Sequence, residues 1–320
     1  MRTIDDVFRE IVTGATEIIT AETYGRVSHV PMLSHYTSMD AFASILRSRE
    51  LWFSLIRDTN DTSEAIEGIN IIRLALEKYG PKIFSNYSHL NVPAQFEARR
   101  ELLENDTHVL SLCEHGSDNR TDRLVMWQAY GYNGNGLCMV LRKQTMLGQT
   151  ARGLFPVHWC PIEYQDAVGL GKRVRDRLRQ IDEVIQAHPE GSTVPPDAIG
   201  MLIAVCMVQL VLSHKNIAFD YEKEIRFVRS KLLQSLMPPS GAGYRTITMN
   251  RKSRSKFVLP LRVYPEYSVD ASIAALLGHV IVGPSDRQDI MAQEVRELLD
   301  ANNLGAVEVR KSEIPYRAGR

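Results

Sequence analysis

The spacing of apolar residues divides the chain into alternating helical and extended stretches. Ile4, Val7, Phe8, Ile11, Val12, Ala15 and Ile18 recur every three or four positions, which predicts a helix over 3–19. After a loop ending at Pro31, Met32-Leu33-Ser34-His35-Tyr36-Thr37 reads as a short strand. Ser38 is placed to cap a helix whose apolar face is Phe42, Ile45 and Leu46. Residues 51–55 form a second strand, and a polar turn over 57–62 leads into a helix over 62–79. Residues 93–104 read as helix, 107–112 as strand, 122–130 as helix and 137–141 as strand, the last two strands pairing around the helix between them. Residues 153–163 are extended, a charged helix covers 165–187 and an apolar helix 197–213. Further on, 244–249 and 256–263 fit a hairpin joined by the basic turn from Asn250 to Lys256. A strand at 279–284, a helix capped by Ser285 that ends near 301, and a strand over 306–310 complete the pattern.

Strands and helices interleave without a regular βαβ rhythm, and there is no internal repeat. The pattern predicts an α+β fold with a mixed, largely antiparallel sheet surrounded by helices. We expect one domain over 31–320, with a helical insertion at 165–213, preceded by a helical extension over 1–30. Apolar residues make up 44% of the 320 positions and charged residues 24%, as in soluble globular proteins. The 38 basic and 38 acidic residues cancel, which argues against a general nucleic-acid sleeve. Cys113, Cys138, Cys160 and Cys206 form no C-x-x-C pair and have no histidine at metal-ligand spacing, so no metal site or disulfide framework is expected. Reduced thiols and a charged N-terminus without an apolar signal core point to the cytoplasm. The most apolar stretch, 199–212, contains Gln209 and is short for a membrane span; it reads as a buried helix, with no membrane partner.

Candidate chemistry concentrates at Tyr221-Glu222-Lys223-Glu224-Ile225-Arg226-Phe227-Val228. On a strand, Glu222, Glu224 and Arg226 share one face, opposite Lys223, Ile225 and Phe227, and would make an active-site floor. On a helix, Glu222 and Arg226 form an i, i+4 pair on a solvated face. His35 and Tyr36 stand at a strand end, where a ring nitrogen can bond a ribose hydroxyl and a phenol ring can stack; the plainer reading is an interior histidine with Thr37 helping to cap. Asn60, Asp61 and Glu64 form a substrate loop in one reading and a helix N-terminus in the other. Trp127 and Tyr130 share a helix face and read mainly as core. The basic turn at 251–256 reads first as a solvated hairpin tip and second as a phosphate or nucleic-acid contact. Gly134 and Gly136 match neither the dinucleotide fingerprint nor the phosphate-loop motif, and no H-E-x-x-H or G-x-S-x-G occurs.

In order, H-Y-T-S, I-L, N-D with E, M-W-x-x-Y, G-x-C, Y-E-K-E-x-R and V-I-V-G-P resemble the bacterial family known as domain of unknown function 2971, over residues 32–317. Thr62 stands where that family more usually has proline. A strand bearing His with Thr two residues on, a helix ending in I-L, a further strand and a late E-x-E are also similar to NAD-using ADP-ribosyltransferases. That second resemblance implies an ADP-ribosyltransferase-like sheet and NAD as substrate. It makes Glu224 catalytic, with Glu222 positioning the acceptor. His35 would hold ribose and Tyr36 would flank the nicotinamide; Thr37, Ser54, Trp127 and Arg226 complete the cofactor-binding set, with Arg226 either binding the pyrophosphate or keeping both acids ionised through charge pairing. Asn60, Asp61, Glu64 and Tyr130 remain the substrate-loop candidates. Arg49-Glu50 stand where a glycine is expected, and Trp52, Phe53 or Trp127 would supply the second aromatic.

Three functions follow as expectations. The first is an ADP-ribosyltransferase or NAD glycohydrolase, in the setting of a toxin or phage-defence effector, acting on a small nucleotide with a protein or nucleic-acid acceptor. The second is a sensor module that binds nucleotide, nucleic acid or protein without catalysis. The third is a magnesium-dependent nuclease using Asp61, Glu64, Glu222 and Glu224, which requires those acids to converge on one ion.

Overall fold

The computed structural model describes residues 3–25, 31–59, 62–87, 90–116, 123–151, 157–188, 190, 193–231, 243–249 and 252–315. Helix α1 (Ile4–Gly25) precedes β1 (Met32–Thr37), α2 (Met39–Ser48) and β2 (Glu50–Leu55). A 3-10 turn at Ile56–Asp58 leads to α3 (Thr62–Ile83), α4 (Val92–Glu97), α5 (Arg100–Asp106), β3 (His108–His115), α6 (Leu124–Ala129), β4 (Leu137–Arg142) and α7 (Lys143–Ala151). Then come β5 (His158–Pro161), β6 (Glu163–Tyr164), α8 (Ala167–Gln186), α9 (Pro196–Leu212), β7 (His214–Lys215), a 3-10 helix at Ile217–Glu222 and β8 (Glu224–Arg229). The remainder is β9 (Gly243–Met249), β10 (Lys252–Pro260), β11 (Val263–Tyr264), β12 (Val269–Asp270), α10 (Ile273–Leu276), β13 (Leu277–Val282), α11 (Gln288–Ala301) and β14 (Glu308–Lys311).

The chain is an α+β protein with a mixed, largely antiparallel sheet. The main sheet runs β14-β13-β4-β1-β3-β2-β10-β9, with β8 and β5 added beside β3, and among the described residues only β13 and β14 pair in parallel within it. Ser38 caps α2 as its position suggests, its hydroxyl accepting from Ala41 N at 3.1 Å. Arg49, standing where the resemblance leads one to expect glycine, takes the left-handed conformation at φ 53°. The position therefore does demand positive φ, and an ordinary residue meets it at a cost of about 1–2 kcal/mol.

Some expectations are corrected. Strands β3 and β4 do not pair, because β1 lies between them and bonds to both. The hairpin is tighter than its sequence suggests: β10 begins at Lys252, so most of the basic stretch is strand, while Asn250 and Arg251 lie outside the described residues. Ser285 does not cap α11, which begins at Gln288; its hydroxyl instead faces Met291 Sδ at 3.6 Å. Apart from these corrections, helix α1 shares one apolar cluster with α3, α8 and α9 through Val7, Ile11 and Ala15.

Strand β3 determines where a ligand can enter. One edge pairs with β8 from His108↔Arg229 to Cys113↔Glu224. The other edge is shared: β1 takes its end through Ser34↔Cys113, and β2 takes its start through Ser54↔Val109. Between these registers Leu110, Ser111 and Leu112 face no strand on that edge among the described residues, so the sheet divides into two arms with a gap between β1 and β2.

Side chains directly opposite in a ladder lie on one face. Leu110, Leu112, Ile225 and Phe227 join a large cluster that includes Phe42 and Leu46 of α2 and Val295 and Leu299 of α11. On the other face, Val109 and Val228 meet the helical layer of α1, α3, α8 and α9. A smaller cluster of Trp127, Cys138, Val140 and Ile281 covers the β4–β13 arm, with Tyr36 packed against it. Helix α9 is apolar on all sides and buries twelve of its seventeen residues, Gln209 among them. No helix among the described residues is long and apolar enough to cross a membrane.

Trp127 is fully buried, and its ring meets Tyr36 edge-on at 4.9 Å. Trp127→Ala should destabilise the protein by about 3–5 kcal/mol in chemical unfolding; an unchanged midpoint would contradict its place in the core.

Candidate active site

The face of β3 and β8 between the helical layer and the Trp127 cluster carries Ser111, Cys113, Glu224 and Arg226 instead of apolar residues. Glu224 and Arg226 lie two apart on β8, and the guanidinium grips the carboxylate through Nε at 2.9 Å and Nη2 at 3.2 Å. Arg226 Nη1 also donates to the Leu212 carbonyl at 3.2 Å, tying the strand to the end of α9. Lys215, on the two-residue β7 that follows α9, points its ammonium into the same space. It donates to Glu222 Oε2 at 2.6 Å and to Glu224 Oε2 at 3.2 Å.

Glu222 does not share the strand with Glu224, as the alternation pattern supposes, nor does this stretch form the alternative helical pair with Arg226. Glu222 ends the 3-10 helix, and Lys223 turns the chain through a left-handed conformation at φ 46° before β8 begins. That turn brings both carboxylates to one ammonium. Tyr130, at the end of α6, donates its hydroxyl to Glu222 Oε1 at 2.8 Å. Lys215, Glu222, Glu224 and Arg226 are each at most 4% exposed. Two positive and two negative charges thus balance in one buried cluster.

A cavity of about 380 Å³ opens above this floor in the gap between β1 and β2. This lies in the size range of small-molecule sites, about 300–1,000 Å³. Ser34, His35, Tyr36 and Thr37 line it from β1, and Trp52, Ser54, Asp58 and Thr59 from β2 and the turn after it. Ser111 and Cys113 form its back, Tyr130, Glu222, Glu224 and Lys215 its floor, and Lys256 its far end. His35 Nδ1 lies 3.3 Å from the Ser111 carbonyl, on the stretch of β3 that the split leaves without a strand. A neutral ring donating there keeps Nε2 as an acceptor. Ser34 Oγ bonds His115 Nδ1 at 2.7 Å, and Lys256 Nζ bonds Ser54 Oγ.

Electrostatics separate the two acids. Burial would raise Glu224, but the Arg226 guanidinium and the Lys215 ammonium outweigh it and hold the carboxyl below its ordinary range. Glu222 is raised by burial, with Glu224 adding to the effect, against the hydrogen bonds from Lys215 and Tyr130. His35 is lowered by burial and is therefore neutral near pH 7. Burial, then Glu224 and Glu222, push the Cys113 thiol well up, so it is not a ready thiolate nucleophile.

The structure brings His35, Tyr36, Thr37, Ser54, Tyr130, Glu222 and Glu224 to one cavity. It corrects two of the cofactor-contact expectations. Trp127 is not on the wall but behind it, supporting Tyr36. Arg226 is beneath the floor and touches Glu224 rather than the cavity. Of the aromatics weighed as a second ring, Trp52 lines the cavity and Phe53 is buried in the core. Asn60 and Asp61 lie outside the described residues, as does the side chain of Glu64; among the described residues no three acidic, histidine or cysteine side chains gather as a cation site. Sequence reasoning missed Lys215, Lys256, Ser34 and Ser111. A lysine seven residues before Glu222 and nine before Glu224 carries no motif, and only the fold aims it at both. Set against known proteins, the chain matches no protein-family model, no curated protein and no solved structure.

Lys215→Met should destabilise the fold by about 3–5 kcal/mol, because it strands buried carboxylate charge. Adding Glu222→Gln should recover part of that loss in urea unfolding; a fully additive double variant would contradict the pairing. A second prediction concerns pH. Burial, then Arg173 and Arg226, lowers His214 to about 4. Burial, then Arg310 and His115, lowers His279 to about 4. Both are neutral when folded, whereas an unfolded histidine takes up a proton near pH 6.5. Stability is therefore full above about 6.5 and is lost as pH falls towards about 4. The melting temperature should drop across that window, and His279→Gln should flatten the drop.

Proposed function

We propose that the cavity binds NAD and that the chain breaks the nicotinamide–ribose bond, as an ADP-ribosyltransferase or NAD glycohydrolase. The observation that carries this reading is that His35 and Glu224 line one cavity, at the gap where the sheet divides. Breaking the glycosidic bond develops positive charge on the ribose, and a fixed carboxylate in a water-poor site stabilises it. Glu224 suits that task because Arg226 and Lys215 keep it ionised without any change of geometry. His35 holds a ribose hydroxyl through Nε2, and Tyr36, braced by Trp127, flanks the nicotinamide. Thr37, Ser54 and Trp52 line the path along which the rest of the nucleotide extends, and Lys256 offers a cation for its phosphates.

On this reading the sheet is ADP-ribosyltransferase-like, and the chain is a divergent relative of the family known as domain of unknown function 2971. The four free thiols support a cytoplasmic location, where a toxin or phage-defence effector that consumes NAD would act. The nuclease reading is not favoured, because an ammonium, Lys215 Nζ, stands between Glu222 and Glu224 where a bridging metal ion would have to lie.

Nicotinamide release by the purified protein tests the proposal. Glu224→Gln should lower turnover by roughly 10²–10³-fold while leaving a folded protein; retained turnover would remove Glu224 as catalyst. His35→Ala should weaken NAD binding measured by calorimetry, and unchanged affinity would take it out of the site.

A further inference from the structure

The deep end of the cavity bears on what receives the ribosyl group. Glu222 is 3% exposed, and each of its carboxylate oxygens already accepts a hydrogen bond, Oε1 from Tyr130 and Oε2 from Lys215. Lys215 itself is 1% exposed, and its ammonium lies 5.1 Å from the Phe219 ring centroid, so the 3-10 helix Ile217–Glu222 closes over it. Arg123 donates to the Tyr221 carbonyl and ties that helix to the start of α6. An acceptor side chain on another macromolecule would have to pass this closure. A guanidinium would further need both oxygens of Glu222 along one open edge for its two parallel bonds. A carboxylate has about four lone-pair sites, so each oxygen retains room for one small donor.

We infer that the acceptor is water held by Glu222, so that the chain hydrolyses NAD to nicotinamide and ADP-ribose. This rests on the NAD reading above. The water oxygen forms the new bond to ribose C1′, and the C1′–nitrogen bond breaks with its electron pair passing to the nicotinamide ring, which becomes neutral. The second product is ADP-ribose, and the proton released from water goes to Glu222 and then to solvent. No oxidant or reductant enters. Glu222 is the better base of the two acids, because burial raises it while Glu224 is held down by its cations.

The test uses the full chain and NAD labelled in the adenylate half, in buffer and in cell lysate, with methanol and the guanidine agmatine as alternative acceptors. ADP-ribose should appear in equal amount to nicotinamide, without label in protein or nucleic acid. Methanol, small enough to replace water, should give methyl ADP-ribose, and agmatine should give no adduct. Nicotinamide release accompanied by labelled macromolecule or an agmatine adduct would overturn the inference and leave the NAD reading standing. No nicotinamide in any arm would overturn both. Glu222→Gln should lower nicotinamide release by roughly 10²-fold with NAD affinity retained; full turnover in that variant would exclude Glu222 as the base. The product distribution of the unaltered chain decides the matter even if the variant does not fold.

Discussion

Four buried charges, Lys215, Glu222, Glu224 and Arg226, set the terms for everything around them. Removing two ion pairs from water costs several kcal/mol per ion, and their attraction offsets this only when geometry is good and the remaining polar atoms are bonded. The fold meets that condition with parts from four separate places. Arg226 also bonds the end of α9, Tyr130 reaches Glu222 from α6, the Tyr164 hydroxyl accepts from the Glu224 amide, and Lys215 joins both acids. The apolar clusters on either side exclude water and so strengthen each contact. A polar network of this kind has one good arrangement, and Lys223, between its two acids, is held in the left-handed conformation that brings them together.

The same network explains why the sheet can afford a gap. Backbone groups on an interrupted strand edge must find partners. β3 is anchored along its other edge by β8 from His108 to Cys113, and the His35 ring serves the Ser111 carbonyl on the open side. The gap is therefore bounded by a rigid strand below and by two arms that diverge from it. It places Glu224 and Lys215 at the cavity and keeps Arg226, the other countercharge of Glu224, beneath the floor. The cavity and its charged floor thus arise from one topological feature.

Two residues assigned to ligand contact act one layer back. Trp127 is prominent in the sequence, yet its size is used to fix Tyr36. Arg226 looks like a phosphate ligand, yet its planar fork fits the neighbouring carboxylate. The core reading of Trp127 and the charge-pairing reading of Arg226 are the ones the structure bears out. Positions two apart on a strand are within reach of each other, but whether they also face a ligand depends on what covers that face.

Local chemistry determined much of this protein. The apolar stripes placed α2 and the start of α1, although α1 runs on to Gly25 instead of ending near 19; α8 and α11 fall within a few residues of the ranges read for them, the Ser38 cap placed the start of α2, and the continuous apolar run of α9 announced a buried helix. His35 and Tyr36 stood out as polar groups at a strand end, and Glu222 and Glu224 as paired acids beside an arginine. The tertiary structure alone decided that β1 inserts between β3 and β4, that β3 divides its edge between β1 and β2, and that Lys215 and Lys256 enter the cavity. The reason is physical. Periodicity and capping act within a few residues of the chain, whereas strand order and the convergence of charges depend on contacts between segments that the sequence holds far apart.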